Sequence, residues 1–190
     1  MVIDIDELVR RNAEFAASGA FADLPILSSG NLRVIGCVDP RVDPSHVLGL
    51  SAGEAVIMRN IGGRVTPPAL RSWAMLAKVA EARSNGRPQG DAHMVILHHT
   101  DCGIRDLVPF PDLLADYFEI PAAGLDTKAV TNPHVSVRID VEAMKHTLPA
   151  GVQVSGLVYH VETGLIETVV PPTAGTKQAQ PTGRYHNRLP

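Results

Sequence analysis

Two short segments of the sequence combine residue types that could do chemistry together. One is Gly36–Arg41, with the sequence GCVDPR, and the other is His98–Gly103, with the sequence HHTDCG. Together they offer two cysteines and two histidines, and thiolate and imidazole are ligands that Zn²⁺ prefers in proteins. Because the chain has only 2 cysteines, a structural site with three or four cysteines from one subunit is excluded. Three protein ligands and an open fourth position would indicate a catalytic zinc site.

The predicted ligands are Cys37, Cys102 and one of two adjacent histidines. His99 and Cys102 form an H-x-x-C pattern, a spacing that lets one turn present both groups to the same ion. His98 points to the opposite face of its strand, because side chains alternate along a strand with a period of two. We therefore favour His99 as the ligand and expect His98 to be a supporting or core residue. The other histidines without ligand spacing are expected to be ordinary: His93, His134, His146, His160 and His186.

Asp39 and Arg41 follow Cys37 closely and could act as a pair. A carboxylate beside a zinc-bound water can accept its hydrogen bond and orient it, and a guanidinium can hold that carboxylate through two parallel bonds. This grip would keep Asp39 ionised and away from the metal. Without the grip, Asp39 could itself be the fourth metal ligand. We therefore expect two states, an open site that holds water and a closed site that holds Asp39.

The elements that must position these residues are strands alternating with helices. Continuous apolar runs typical of buried parallel strands occur at Leu32–Val38, Ala55–Arg59, His93–His99 and Val152–Val161, with a fifth strand at Leu165–Val170. Helical patterns occur at Asp4–Ala17, Pro44–Leu50, Pro67–Ser84, Asp112–Phe118 and Ser136–Leu148, and a loop is predicted at Pro121–Pro133. This alternation predicts an α/β fold with a mainly parallel sheet. Ligands bind such sheets at the carboxyl ends of the strands, where both segments lie.

Composition limits the class of partner and the location. The chain has 190 residues, a net charge of −3 and no Lys/Arg cluster, which disfavours nucleic acid and membrane surfaces and favours a small-molecule substrate. No targeting segment or membrane-length apolar run is visible, so we predict a cytoplasmic protein with reduced cysteines. Residues 1–170 are predicted to form one domain with an N-terminal helical arm. Residues 171–190, rich in Pro, Thr, Gly and Gln, are predicted to be an irregular tail.

Three motifs together resemble those of the β-class carbonic anhydrases, in particular the compact bacterial members. Cys37–Arg41 resembles the family's C-x-D-S/A-R motif, and His99–Gly103 resembles its H-x-x-C-G motif. Between them, Gly53–Gly63 resembles the G-[DE]-x4-R-N-x-G segment. The similarity extends from about Leu32 to Gly103, and more loosely to Gly156–Tyr159. Three motifs in the right order at suitable distances make the resemblance specific.

The resemblance implies a zinc lyase that interconverts CO₂ and bicarbonate through a zinc-bound hydroxide. It implies one Zn²⁺ per subunit held by Cys37, His99 and Cys102, with Asp39 and Arg41 as a catalytic dyad. The amide of Gly103 falls where the family binds a substrate oxygen. The family fold is a parallel four-stranded sheet, flanked by helices, with an added fifth strand at its edge. The family's members are homodimers or larger homo-oligomers whose N-terminal helices cross to the partner.

Two alternatives remain open at this point. The same scaffold also carries hydrolases of CS₂ and carbonyl sulfide, and the motifs do not separate them because the chemistry is the same attack on a heterocumulene carbon. A non-catalytic zinc protein that binds bicarbonate is the other alternative. Pro40 stands where the family has Ser or Ala, and it removes an N–H from the loop that aims Asp39 and Arg41. Arg59–Asn60 and Gly62–Gly63 are expected mainly to shape a turn.

Overall fold

One sheet of five strands organises the chain and brings the ends of two strands side by side. In this computed structural model the described residues are 4–84 and 92–177. The strands are β1 (Leu32–Cys37), β2 (Ala55–Asn60), β3 (Ala92–His99), β4 (Val152–His160) and β5 (Leu165–Ala174). Their order is β2-β1-β3-β4-β5. All neighbouring pairs are parallel except β4 and β5, which are antiparallel. The predicted fold, four parallel strands with a fifth antiparallel edge strand, is confirmed.

The strand order explains why the two chemical segments meet. The chain leaves β1 to form β2 on one side and then returns to form β3 on the other side of β1. This reversal is a topological switch point, where a crevice opens outside the carboxyl ends of the strands. Because β1 and β3 are parallel neighbours, with Gly36 paired to Leu97, Cys37 and His99 leave the sheet at the same edge.

Within the described residues five α-helices flank the sheet, and four of them begin at a proline. They are α1 (Ile5–Ala17), α2 (Pro44–Val47), α3 (Pro67–Arg83), α4 (Pro111–Phe118) and α5 (Pro133–Lys145). Proline suits the first helical turn because the N–H it lacks would have no partner there. The predicted start of α5 at Ser136 was wrong, because Asn132 caps the amides of His134 and Val135 and the helix begins at Pro133. The predicted loop Pro121–Pro133 also contains a 3₁₀ helix, Ala122–Lys128.

The core lies mainly on one face of the sheet. There, α5 contributes Val137, Val141 and Met144 and α3 contributes Trp73, which pack with strand residues such as Ile96. The other face has a smaller cluster around Val34, Val95 and Leu97, covered in part by α2. A third cluster under α4 joins Ile104, Leu114 and Phe118, just after the His98–Gly103 segment. The site-bearing turns therefore rest on packed side chains.

The two ends of the described chain differ in how they contact the domain. Helix α1 has no buried residue, and its apolar residues Leu8, Val9 and Phe15 are exposed. At the other end, β5 continues to Ala174, so the prediction of an irregular tail from residue 171 was wrong for its first four residues. Prolines are tolerated there because β5 is an edge strand. Residues 178–190, with the rest of that predicted tail and His186, lie outside the described residues. Among the described helices, none is long and apolar enough to cross a bilayer.

Candidate metal centre

Three of the predicted site residues come together at the shared edge of β1 and β3. Cys37 is the last residue of β1, His99 is the last residue of β3, and Cys102 lies in the turn that follows. Their ligand atoms all lie within 4.8 Å of one another. Cys37 and His99 are buried and Cys102 is half-buried, and both cysteines are free thiols rather than a disulfide.

The geometry of this cluster fits a tetrahedral zinc ion. The two sulfur atoms are 3.8 Å apart, and two thiolates at the usual zinc–sulfur distance in a tetrahedral site lie about 3.8 Å apart. His99 Nδ1 lies 2.8 Å from the carbonyl oxygen of Thr100, which fixes the proton on Nδ1 and leaves the lone pair on Nε2. That Nε2 atom is buried and has no hydrogen-bond partner. A buried acceptor without a partner costs free energy that a metal ion would recover.

The protonation of these groups is tightly linked. A hydrogen bond from Cys102 lowers the pKa of Cys37 to about 4. The same contact, together with burial, raises the pKa of Cys102. Burial opposes a charge on His99, but the Cys37 thiolate outweighs it and raises the pKa of His99. Taken alone, these protein groups therefore favour one thiolate and resist a second, and a dication would stabilise both.

Asp39 lies beside this cluster, and Arg41 holds both of its carboxylate oxygens. Arg41 Nη2 donates to Oδ2 at 2.7 Å, and Nε donates to Oδ1 at 3.1 Å. The backbone N–H of Arg41 also donates to Oδ1, at 2.9 Å. These hydrogen bonds lower the pKa of Asp39 to about 2. In this arrangement Asp39 is ionised at neutral pH and restrained by Arg41, and the two expected states of the site stay a prediction.

Arg41 is in turn fixed by a residue that the sequence did not single out for a role. Its Nη1 donates to Asp101 Oδ2 at 3.0 Å, and its Nη2 donates to the Asp101 carbonyl at 2.9 Å. Asp101 has a φ of 50°, in the left-handed region that Asp adopts more readily than most residues. In this conformation the Oδ2 atom and the backbone carbonyl oxygen of Asp101 both face Arg41. The guanidinium thus links the turn after β1 to the turn after β3.

Pro40 does not disturb this arrangement. It occupies the first position of a short 3₁₀ helix, Pro40–Val42, that Asp39 caps through the N–H of Arg41. An amide at the first helical position has no intrahelical partner, so its loss costs little. The hydrogen bond that aims Asp39 comes from the following residue. The concern that Pro40 removes a necessary donor is therefore not supported by the backbone geometry.

Of the residues expected to shape a turn, Gly62 and Gly63 do so, whereas Arg59 and Asn60 are the last residues of β2 and Arg59 supports the site. Arg59 donates to the carbonyls of Cys37 and Asp39, both at 2.8 Å, and pairs with Asp43 at 2.6 Å. Gly63 has a φ of +65°, and a Cβ on it would meet the Leu97 carbonyl at 2.8 Å and the Cys37 amide at 3.0 Å. A residue with a side chain would therefore push apart the ends of β1 and β3.

The mouth of the site is mostly apolar and includes Gly103. A cleft of about 350 Å³ is lined by Cys37 and Asp39 together with Val38, Pro40, Ile61, Gly62, Gly103, Ile104 and Leu107. Gly103 is exposed and begins a 3₁₀ helix, so its N–H has no intrahelical acceptor. A small apolar substrate with polar ends would find carbon-rich walls and a backbone donor in this cleft.

A buried polar network lies behind the site and was not predicted from the sequence. Arg64 is 1% exposed and donates to Asp140 Oδ2 at 2.7 Å. His98 lies between Ser136 and Asp140, with Nδ1 2.9 Å from Ser136 Oγ and Nε2 3.3 Å from Asp140 Oδ2. Burial opposes the ionisation of Asp140, but its contacts with His98 and Arg64 outweigh burial and lower its pKa. The network ties α5 to β3 one residue before His99, which gives His98 the supporting role expected of it.

Comparison with known proteins identifies relatives of the whole fold. Residues 32–108 match the sequence model of the family described as Carbonic anhydrase. Beta-carbonic anhydrase 1 of Mycobacterium tuberculosis is 31% identical over 176 residues, which cover 87% of this chain and 98% of the relative. The crystal structure of carbonic anhydrase from Streptococcus mutans has a TM-score of 0.65 at 31% identity, covering 89% of this chain and 99% of that one.

A second kind of relative has a different named activity. A carbon disulfide hydrolase from an Acidianus strain is 26% identical over 167 residues, covering 73% of this chain and 76% of the relative. The full-length match at higher identity, together with the family model and the shared fold, confirms both the resemblance and the enzyme class inferred from it. This chain therefore belongs to the β-carbonic anhydrase family.

Proposed function

We propose that the protein catalyses the reversible hydration of CO₂ to bicarbonate and a proton, with one Zn²⁺ per subunit held by Cys37, His99 and Cys102. The observation that carries this proposal is the convergence of two thiols and a buried, unpartnered imidazole nitrogen beside a restrained carboxylate. When bound there, zinc would supply the Lewis acidity that makes water a nucleophile near neutral pH.

Asp39 is proposed to orient the attacking water. Because Arg41 lowers the pKa of Asp39 to about 2, the carboxylate is ionised at neutral pH and can only accept a hydrogen bond. Asp39 can therefore align the attacking water without taking up a proton from it. Arg41 restrains the carboxylate through its hydrogen bonds. Without that restraint, Asp39 would be free to join Cys37, His99 and Cys102 in holding the ion.

Gly103 and the apolar cleft are proposed to bind the substrate. CO₂ is linear and has no net dipole, so carbon-rich walls suit it better than charged groups. The exposed amide of Gly103 can donate to one substrate oxygen and stabilise the negative charge that develops there during attack. Both features lie in the cleft that also contains Cys37 and Asp39.

Hydrolysis of CS₂ is the second candidate, and two observations favour considering it. Carbon disulfide hydrolases are among the relatives, and the cleft walls are mostly apolar. The bond-forming step is the same attack of water on a central carbon, so the residues named above would serve either substrate. The width of the entrance in the assembled protein would decide between them.

We also propose that the chain functions as a homodimer or a larger homo-oligomer. The apolar residues of α1 are exposed, and β2 is an open edge of the sheet with half-buried side chains throughout. An exposed apolar helix face of this kind usually marks a protein–protein contact. A cytoplasmic location stays a prediction.

Stopped-flow measurement of CO₂ hydration by the zinc-loaded protein tests the proposed function. We expect clear activity at alkaline pH and a loss of about 100-fold or more in Asp39→Asn, because the variant cannot hold the charge that orients the water. Asp101→Asn is the matched control. It alters one contact of Arg41 and leaves the Asp39 carboxylate in place, so its loss should be much smaller.

The same experiment separates the candidates. A zinc-loaded wild type without CO₂ hydration would contradict the leading proposal. If that protein released sulfide from CS₂ in an Asp39-dependent way, the hydrolase function would replace it. Absence of both activities would leave a protein that uses the scaffold for binding alone.

A further inference from the structure

A second group of metal-binding side chains lies away from the first. His134 is in the first turn of α5, His160 is the last residue of β4, and Glu167 is in β5. The sequence predicted ordinary histidines at both positions, because no short spacing links them. In the fold, the ligand atoms of these three residues lie within 4.8 Å of one another.

The two imidazoles converge on a single oxygen atom. His134 Nε2 is 3.0 Å from Glu167 Oε2, and His160 Nε2 is 3.2 Å from the same atom. The ring centroids are 5.8 Å apart and the ring planes are tilted by 53°, so the rings are not stacked against each other. Nitrogen and oxygen ligands of a tetrahedral zinc ion lie about 3.3 Å apart. The observed separations are close to that value before any side chain moves.

The backbone explains why these side chains meet. Asn132 caps the amides of His134 and Val135 and so fixes the start of α5 against the sheet. Glu167 pairs with Val158 across the β4–β5 ladder, and His160 lies two residues beyond Val158 on the same face. Each ligand therefore stands on a regular element rather than on a long loop.

We propose that His134, His160 and Glu167 form a second metal site, which takes a dication of the zinc class. Two neutral imidazoles and one carboxylate suit Zn²⁺ and its neighbours in the first transition row. With three protein ligands, the remaining positions are filled by water.

An ion at this second site would join α5 to the β4–β5 hairpin. The hairpin turn also contacts the first site, since Thr100 Oγ1 donates to Glu162 Oε2 at 2.7 Å and accepts from the Val161 amide at 3.0 Å. Thr100 directly follows His99. The second ion would therefore stabilise the edge of the sheet that carries the first site, without taking part in the chemistry there.

Cobalt binding distinguishes the two sites by their ligands. Thiolate-to-cobalt charge-transfer absorption reports only the cysteine site, whereas an imidazole and carboxylate site gives weak d–d bands alone. We expect the wild-type protein to bind two equivalents of Co²⁺ or Zn²⁺ per chain and to gain thermal stability with the second. In His134→Ala and Glu167→Gln, affinity for the second equivalent should fall about 100-fold or more, with the charge-transfer band intact.

The control is His46→Ala, which removes another exposed histidine and should leave two equivalents. Binding of one equivalent of metal by the wild type would overturn the proposal, and so would binding of two equivalents by both His134→Ala and Glu167→Gln. The three side chains would then be only a hydrogen-bonded cluster of Glu167 with two histidines. Because the charge-transfer band and CO₂ hydration report only the first site, failure here is distinguishable from failure of the proposed function.

Discussion

The two proposed metal sites differ in burial, and this difference decides how strongly the side chains of each depend on an ion. At the first, Cys37 and His99 are buried and His99 Nε2 has no partner, so the group is incomplete without an ion. At the second, His134 and His160 both contact Glu167. These three side chains hydrogen-bond to one another, and water can replace each of these hydrogen bonds. We therefore expect tight, obligatory binding at the first and weaker, optional binding at the second.

The largest effect should come from removing a thiolate. We expect Cys102→Ala to lose the tightly bound zinc and to hydrate CO₂ no faster than the uncatalysed reaction, because two remaining ligands cannot hold the ion. Metal analysis after dialysis and stopped-flow kinetics measure both losses.

His160→Ala is the matched change at the second site, and it should keep the tight zinc and the activity. The contrast between the sites would break if Cys102→Ala retained its zinc. It would also break if His160→Ala lost the tightly bound ion.

A change in the support of the first site should affect stability rather than chemistry. Arg64→Met leaves Asp140 buried without the guanidinium that donates to both of its carboxylate oxygens, and breaking a buried pair costs about 3–5 kcal/mol in the free energy of unfolding. Urea unfolding of the zinc-loaded protein measures this cost. Because His98 also contacts Asp140, we expect the loss in the free energy of unfolding to lie near the lower end of this range.

Arg71→Met is the control, because its partner Glu119 is on the surface and exposed pairs contribute little. Equal destabilisation by Arg64→Met and Arg71→Met would contradict the idea that a buried network supports the first site.

The smallest expected effect concerns the contact between the two regions. Thr100→Val keeps the shape of the side chain but removes the hydroxyl that joins Glu162 and the Val161 amide to the turn after His99. Loss of these bonds should lower Tm by roughly 2–4 °C, with metal content unchanged. Differential scanning calorimetry detects such a shift, and Thr127→Val, which loses only a hydroxyl bond within its own 3₁₀ helix, is the comparison. A change in metal content at either site would show that the two are coupled more strongly than we expect.

The fold was predictable because its strands are continuous apolar runs separated by recognisable helices. Boundaries were less predictable where capping decides them, as at Asn132 and Pro133, or where an edge strand tolerates proline, as in β5 beyond residue 170. One available signal was overlooked. Asp140 lies at helical spacing among Val137, Val141 and Met144, and a charge on such a buried stripe indicates a buried ionic partner.

The sequence by itself was enough to predict the first site, because its candidate ligands lie within a few residues of two strand ends and the carboxyl ends of parallel strands lie at one edge of a sheet. Cys37, Asp39, Arg41, His99 and Cys102 could therefore be placed together from local spacing. Only the tertiary structure decided the partners of Arg41 and Arg64, and it alone brought His134, His160 and Glu167 together. Those contacts depend on how α5 packs on the sheet and on the register of β4 with β5, which no short pattern encodes.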